Sequence, residues 1–460
     1  VEKLPISNTR SASLFAMDGI PHFFEALPLA LPLALQHVVA MIVGCVTPAI
    51  IVAGAAGLSQ PDRIILIQAS LIAAAIGTIL QLYPLGKRTG IHFGAGLPVI
   101  FGVSFAYVPT MQSLAGDYGI AAILGAEIFG GICAILVGLS IHRIRKFFPP
   151  LVAGTVVFTI GLSLYPIAIN YMAGGLGTPT YGSWQNWVVA LFTLIVVIFF
   201  THFTSGLLRL ASILVGIVAG YILALAMGMV QFDNVVNAGY FEMPRVLHFG
   251  LEFDPAACIA ISILFVINSI QAIGDFSATT SGAMNRQPTS DELHGAILGL
   301  GATSIVGSVL GFLPTASFSQ NVGIVTTTKV INRATLALAA IIILIAGIVP
   351  KFSGLLTTIP YAVLGGATIP VFASIAMTGI KLALSDGATP RNMAIVGLAV
   401  AMGMGLSAAP ESLHLFPAWV TTIFGKAPVV LASIIAISLN LILPKRHGSP
   451  SESSSEAASD

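Results

Sequence analysis

Leu313-Pro314-Thr315-Ala316-Ser317-Phe318-Ser319-Gln320-Asn321-Val322-Gly323-Ile324-Val325-Thr326-Thr327-Thr328-Lys329 lies between two apolar runs, 292–312 and 334–350. Its neighbours place it at membrane depth. Yet it opens on a proline, carries two serines, a glutamine and an asparagine in its first half, and holds Gly323. A lipid-facing helix does not tolerate so many polar groups. Irregular polar backbone inside a bilayer survives only where protein or a watery cavity covers it, and transporters place their substrates at such breaks.

The composition around this stretch sets the class. The chain has 460 residues, 56% of them hydrophobic and only 8% charged, against about 25% charged in soluble domains. It reads as a polytopic all-α membrane protein. A net charge of +1 implies no long-range attraction to nucleic acid. Cys45, Cys133 and Cys258 all fall in apolar runs and match no ligand spacing, so they read as small core residues. Residues 1–20 are polar and the first apolar run leads into another span, so no secretory signal is expected.

A span needs about 20 apolar residues. Fourteen windows qualify: 26–48, 62–85, 91–110, 118–141, 148–171, 186–203, 207–230, 256–281, 292–312, 314–329, 334–350, 359–382, 391–409 and 427–444. With the N-terminus in the cytoplasm and strict alternation, 15 of the 19 Lys and Arg residues fall inside. Only Arg63, Arg245, Lys351 and Lys426 fall outside. That asymmetry supports both termini in the cytoplasm. Trp184, Trp187 and Trp419 then lie at the outer interface, where aromatic rings gather.

Fourteen divides into seven plus seven, and an odd repeat unit forces the second copy to run inverted. The third window contains Leu97-Pro98-Val99-Ile100-Phe101-Gly102-Val103-Ser104-Phe105, and the tenth, its counterpart, contains Leu313-Pro314 followed by a similar polar and aromatic cluster. Both are expected to run extended for a few residues before turning helical. Such a matched pair is the sequence pointer to a midplane site.

Polar residues inside the other windows refine that site. Asp275 reads as the one carboxylate well inside an apolar span, on a stripe with Asn268, Gln271 and Thr279. A charge in a bilayer costs at least ~2.5–3.5 kcal/mol, so such a group faces a cavity or a partner; an interhelical hydrogen-bond seam is the plainer alternative. In the first window His37 follows Gln36. His37 reads either as a satisfied structural residue or as a donor to a carbonyl or carboxylate that orients the site. Gly295, Gly299, Gly307 and Gly311 form small-xxx-small pairs that favour close helix packing. Gln320 and Asn321 each offer donors and acceptors in one plane. Backbone N–H groups freed near Ser104–Phe105 and Ser319–Gln320 add more, and the Phe105 ring can stack on a flat partner. This set suits a planar heterocycle with adjacent C=O and N–H groups. It suits a metal poorly, because no carboxylate, imidazole or thiolate cluster accompanies it.

These residues resemble the nucleobase–ascorbate transporters, the type-2 nucleobase:cation symporters. Gln320-Asn321-x-Gly323-x-x-x-x-Thr328-Lys329 is similar to the family signature. Gln36-His37, Ser104-Phe105-Ala106, Gly274-Asp275 and Pro360-x-Ala362-Val363-Leu364-Gly365-Gly366-Ala367 resemble further family motifs, in order. The resemblance implies an inverted seven-plus-seven fold with short strands in spans 3 and 10. It implies a core domain (26–146 and 254–350) and a gate domain (147–230 and 351–444), with an extracytoplasmic loop at 231–253. Residues 1–25 become a cytoplasmic segment, and the Ser- and Glu-rich 445–460 a disordered tail. It further implies a homodimer in the inner membrane, a nucleobase as substrate, a proton as coupling ion and no other cofactor. Gln320 would hydrogen-bond the base, Phe105 would stack on it and Asn321 would support the break. Gln271, Ser104 and Ser319 complete the expected substrate set, and Asp275, His37 and Gln36 the coupling and support set.

Two positions depart from the family pattern. Gln271 stands where a carboxylate is common, four residues before Asp275, and Leu300 stands where many purine-selective relatives have Asp. They open substrate choice and coupling, so an uncoupled facilitator and a uracil or other organic-anion carrier on the same fold remain alternatives. A membrane enzyme is disfavoured, since no span carries a nucleophile with a base, and a channel is disfavoured for want of a ring-forming motif.

The charge asymmetry makes a topological prediction. Single cysteines placed near Arg145 and near Gly175, in a background lacking the native three, will differ in labelling by an impermeant thiol reagent on intact cells. Only the Gly175 site reacts; labelling near Arg145 contradicts the orientation.

Overall fold

A computed structural model describes Met17 and residues 23–86, 91–140, 149–232, 235–236, 239–417 and 420–444. The expectations for 1–16, 18–22 and the tail 445–460 lie outside the described residues, as do Lys3, Arg10, Lys87, Arg88, Arg143, Arg145, Lys146, Lys445, Arg446 and Trp419.

The chain runs through α1 (Phe23–Ala55), α2 (Gln60–Leu82), strand β1 (Phe101–Val103), a 3-10 turn (Phe105–Tyr107), α3 (Val108–Tyr118), α4 (Ile120–Leu139), α5 (Pro150–Met172), α6 (Trp184–Phe203), α7 (Gly206–Leu210) and α8 (Ser212–Ala226). It continues through α9 (Pro255–Met284), α10 (Ser290–Val309), strand β2 (Thr315–Ser317), α11 (Ser319–Thr328), α12 (Arg333–Ile348), α13 (Pro350–Thr357), α14 (Tyr361–Ala383), α15 (Pro390–Ala408) and α16 (Pro428–Ile442). Helix starts follow local chemistry. Ser59, Asp254 and Thr389 accept from the first turns of α2, α9 and α15, each followed by a proline in the first turn. Thr289 and Glu292 form a reciprocal capping box at α10. These caps satisfy N–H groups that a helix start leaves open.

Among the described residues, nine helices are long and apolar enough to cross a membrane, or up to ten if the bent pair α12–α13 counts as one. The protein is a multi-pass membrane protein. The shortfall from fourteen windows has a local cause at each place. The third and tenth windows spend residues on extended backbone before α3 and α11. The seventh breaks between α7 and α8, and the eleventh bends by 81° where Pro350 starts α13. α16 has 15 residues.

The helices pack in two sets. α4 packs on α9 and α10, α2 on α12, and α1 on α2, α3 and α12. In the other set α5 packs on α14 and α16, α6 on α8 and α14, and α15 on α16. α5 and α14 meet backbone to backbone, because a Cβ at Gly154, Gly161 or Gly379 would collide with main-chain atoms of the other helix. The four glycines of the small-xxx-small pairs work differently from the helix-packing expectation. Gly295 and Gly299 face the extended segment around His92 and Gly94, where the Gly94 N–H donates to Gly295 O at 2.7 Å. Gly307 makes room for the Phe312 ring, and Gly311 has a φ of 76°. Close approach here serves non-helical backbone.

Gly379→Ala should force α14 off Phe158 and lower stability by about 1–3 kcal/mol. A thermal melt of the purified protein in detergent checks this; an unchanged Tm would remove Gly379 from the contact.

Candidate functional site

β1 and β2 pair antiparallel, with Phe101 opposite Ser317, Gly102 opposite Ala316 and Val103 opposite Thr315. The ladder continues past both strands: Phe318 N–H donates to Ile100 O (2.9 Å) and Ser104 N–H to Pro314 O (3.1 Å). A two-stranded sheet has two open edges, and helices close them here. Thr78 Oγ1 on α2 accepts from Phe101 N–H (3.0 Å) and donates to Phe101 O (3.2 Å). Asn268 Nδ2 on α9 donates to Thr315 O (3.2 Å). Gln81 anchors the approach to β1, accepting from Ala95 N–H (3.0 Å) and donating to Ala296 O (2.9 Å). Gly102 must be glycine, because a Cβ there would enter the Phe318 ring and the Cys45 sulfur.

The antiparallel register puts the starts of α3 and α11 at opposite ends of the ladder. No side chain caps α11, so its first N–H groups, at Ser319 and Gln320, have no intrahelical partner. Ser319 and Gln320 are both exposed. The N–H of Ser104 is not free, contrary to the expectation at that break, because strand pairing extends one residue further. The Ser104 side chain is also committed. It is buried and accepts from Ala106 N–H (3.2 Å), forming the 3-10 turn.

Asp275 is buried, and its two oxygens accept from Ser317 Oγ (2.5 Å) and Ser319 Oγ (2.8 Å). It therefore ties α9 to the β2–α11 junction, one turn from half-buried Gln271. Thr279 does not join this seam; its hydroxyl donates to Asp275 O within α9. Asn321 Nδ2 donates to His37 O and to His37 Nδ1, both at 3.1 Å. A backbone carbonyl only accepts, so the shared atom is the NH₂ group and Nδ1 accepts as well. His37 is thus an acceptor here rather than the expected donor, with its ring proton left for Nε2. Gln36 is half-buried, and its enclosed Oε1 has no hydrogen bond. Phe105 is buried and meets Phe372 of α14 edge-on, with centroids 5.2 Å apart. That contact joins the two helix sets.

Three residues escaped the sequence reading. Thr78 and Gln81 are polar residues in the second window, a signal visible there. Glu127 on α4 is completely buried, so Asp275 is not the only carboxylate deep in an apolar span. Glu127 lies at the middle of the fourth window, 118–141, so its signal too is visible in the sequence. A separate cavity of about 210 Å³ lies between Arg63 and Tyr361 and shares no residue with the ladder. Arg63 Nη1 donates to Tyr361 Oη there (3.1 Å). Among the described residues, no group of three or more His, Cys, Asp or Glu side chains is placed to hold a metal.

Interrupted helices held by a buried strand pair, inside a scaffold of apolar helices, define a multi-pass membrane protein. Residues 29–412 match a family described as a permease family, and the chain belongs to it: it is a member of the nucleobase–ascorbate transporter family, whose members are permeases and not enzymes. It is 33% identical to the xanthine permease of Bacillus subtilis (strain 168), covering 90% of this chain and 93% of that one. It is 32% identical to the xanthine permease XanQ of Escherichia coli (strain K12), covering 95% of each. The uric acid permease PucK of B. subtilis is also 32% identical, over 89% of this chain and 94% of its own. Among solved structures, the transmembrane domain of the cyanobacterial bicarbonate transporter BicA superposes with a TM-score of 0.60 at 15% identity, covering 88% of this chain and 97% of that one. SLC26A9 gives 0.59 at 10% identity, over 94% and 68%. These two likenesses concern the fold.

Thr78→Val keeps the side-chain shape and removes both bonds to Phe101. Leaving these buried groups unpaired should cost about 1–3 kcal/mol. A thermal melt in detergent measures it, and a Tm equal to that of the unmodified protein would show that β1 does not depend on this edge.

Proposed function

We propose that this protein is a secondary active transporter that imports a nucleobase across the inner membrane by proton symport, with a xanthine-like oxopurine or another purine as the favoured substrate. The observation that carries the reading is Gln320, an exposed amide in the uncapped first turn of α11 beside the strand pair. A planar base with adjacent C=O and N–H groups can pair with such an amide and with the open N–H groups of the turn. Relatives named as xanthine and uric acid permeases, about one-third identical over most of the chain, favour the same substrate class.

In this reading fourteen spans form two inverted repeats, with both termini in the cytoplasm, and the protein works as a lipid-embedded homodimer. The set containing the strand pair is the core, and α5–α8 with α14–α16 form the gate. Phe105 stacks on the base once Phe372 withdraws, so substrate binding and core–gate movement share one contact. Ser319 and Gln271 flank the base, and Asn321, His37 and Gln36 hold the break in place. Asp275 exchanges the coupling proton as its serine partners move with the β2–α11 junction. An uncoupled facilitator is the second reading. Gln271 favours it, because an amide cannot titrate where a carboxylate would, and uracil or another organic anion then stays open as cargo.

Uptake of labelled xanthine, uric acid, guanine and uracil, with and without a protonophore, tests this function. Protonophore-sensitive accumulation of a purine is expected. Gln320→Ala should weaken uptake by roughly 5–150-fold at unchanged abundance, corresponding to about 1–3 kcal/mol for a stranded polar partner. Normal uptake by that variant takes Gln320 out of the site, and equilibration without accumulation favours the facilitator.

A further inference from the structure

Glu127 lies on α4 with no exposed surface, and no hydrogen bond closes on either of its carboxyl oxygens among the described residues. The elements packed around it offer only neutral groups. Ser304 faces it from α10, and Tyr107 faces it from the 3-10 turn. Asn268 on α9 in turn faces Tyr107. The segment ending at Glu252 touches α4 through its backbone, with the Glu252 side chain exposed. Tyr107 is the only titratable group facing Glu127 among the described residues, and no cationic side chain acts on it. An ionised carboxylate left unpaired in such a place is strongly destabilising, and an intramembrane carboxyl without a structural bond is a functional-site candidate.

Its neighbours connect it to the strand pair from both sides. Tyr107 ends the turn that Phe105 begins. Asn268, which faces Tyr107, holds Thr315 O of β2 and lies one turn before Gln271 on α9. The packing leaves no slack for water around a new charge. One turn after Glu127, a Cβ at Gly130 would enter the Phe265 ring, and one at Gly131 would strike Ile305 and the Gly301 carbonyl. The Tyr107 and Phe265 rings are in contact, with centroids 5.1 Å apart. Hydrating an ionised Glu127 therefore requires α4 to part from α9 and α10, and α9 carries Gln271 and Asp275.

We propose that Glu127 is a second proton-binding site of this transporter, protonated in the closely packed core, and that releasing its proton to water opposes base binding by loosening α9 and the Phe105–Tyr107 turn. The link to base binding rests on the nucleobase reading; the proton itself does not. Linkage makes the relation reciprocal, so a bound base holds the proton on Glu127.

Infrared spectra of the purified protein, recorded as pH is raised, test the proton. A buried carboxylic acid contributes an acid C=O stretch. Glu127→Gln should remove a component of it that survives in Asp275→Asn, and an unaltered band in Glu127→Gln overturns the proposal. Xanthine titrations over the same pH range test the link. Affinity of the unmodified protein should fall by up to about tenfold per pH unit more steeply than that of Glu127→Gln once Glu127 ionises, the variant keeping only the pH dependence that Asp275 supplies. A pH profile left unchanged by the substitution overturns the link. If the unmodified protein binds none of xanthine, uric acid, guanine and uracil, the nucleobase reading falls and the link with it, and the infrared result decides the proton alone. Should Glu127→Gln fail to reach the membrane, Glu127→Asp takes its place. It should displace both the acid band and the pH profile, and displacement of neither overturns the proposal.

Discussion

Backbone N–H and C=O groups at membrane depth need partners, and the rest of this structure is arranged around that requirement. Two segments leave the helical state where no water from the bilayer can reach them. They solve the problem by pairing with each other and by borrowing side chains. Thr78 and Asn268 close the edges of the ladder, and Gln81 holds the chain that leads into it.

The same solution produces the candidate site. Breaking a helix to make a strand creates a fresh helix start immediately afterwards, and a helix start has open N–H groups. At α11 these lie beside Gln320 and Ser319, while Asp275 holds the junction through two serine hydroxyls. Asn321 locks the first turn to His37 on α1. The proposed binding face and its support thus come from one short stretch, with Asp275, His37 and Thr78 reaching it from three other helices.

Close packing supplies the mechanical side. α5 and α14 touch through glycines with no side chain between them, which makes their set stiff. The set that carries the ladder is equally tight where α4 meets α9 and α10. Contact between the sets includes single side-chain meetings such as Phe105 with Phe372 and Arg63 with Tyr361. Relative motion of two stiff bodies is less costly than deformation of either one, and the strand pair lies beside that boundary.

Much of this was legible in the chain. Hydropathy placed the nine helices long enough to span among the described residues, because a span must be apolar over its whole length, and overcounted where apolar windows break or bend. Pro98 and Pro314, followed by β-branched and polar residues, marked both interrupted segments, because a proline and a polar cluster cannot continue a lipid-facing helix. The Gln320-Asn321 signature marked the family. What the sequence could not carry was which polar group meets which. Asp275 reads as a group that faces either a cavity or a hydrogen-bonding partner, and only the fold puts Ser317 and Ser319 on its oxygens. His37 reads either as a satisfied structural residue or as a donor, and only the fold brings Asn321, 284 positions away, to supply amide hydrogens that it accepts. Glu127 stands in the middle of the fourth window, but only the fold shows that no hydrogen bond closes on its oxygens there. Local composition and period are properties of neighbouring residues, so the sequence states them directly. Hydrogen-bond partnership and burial depend on residues hundreds of positions apart, and only the tertiary structure brings those together.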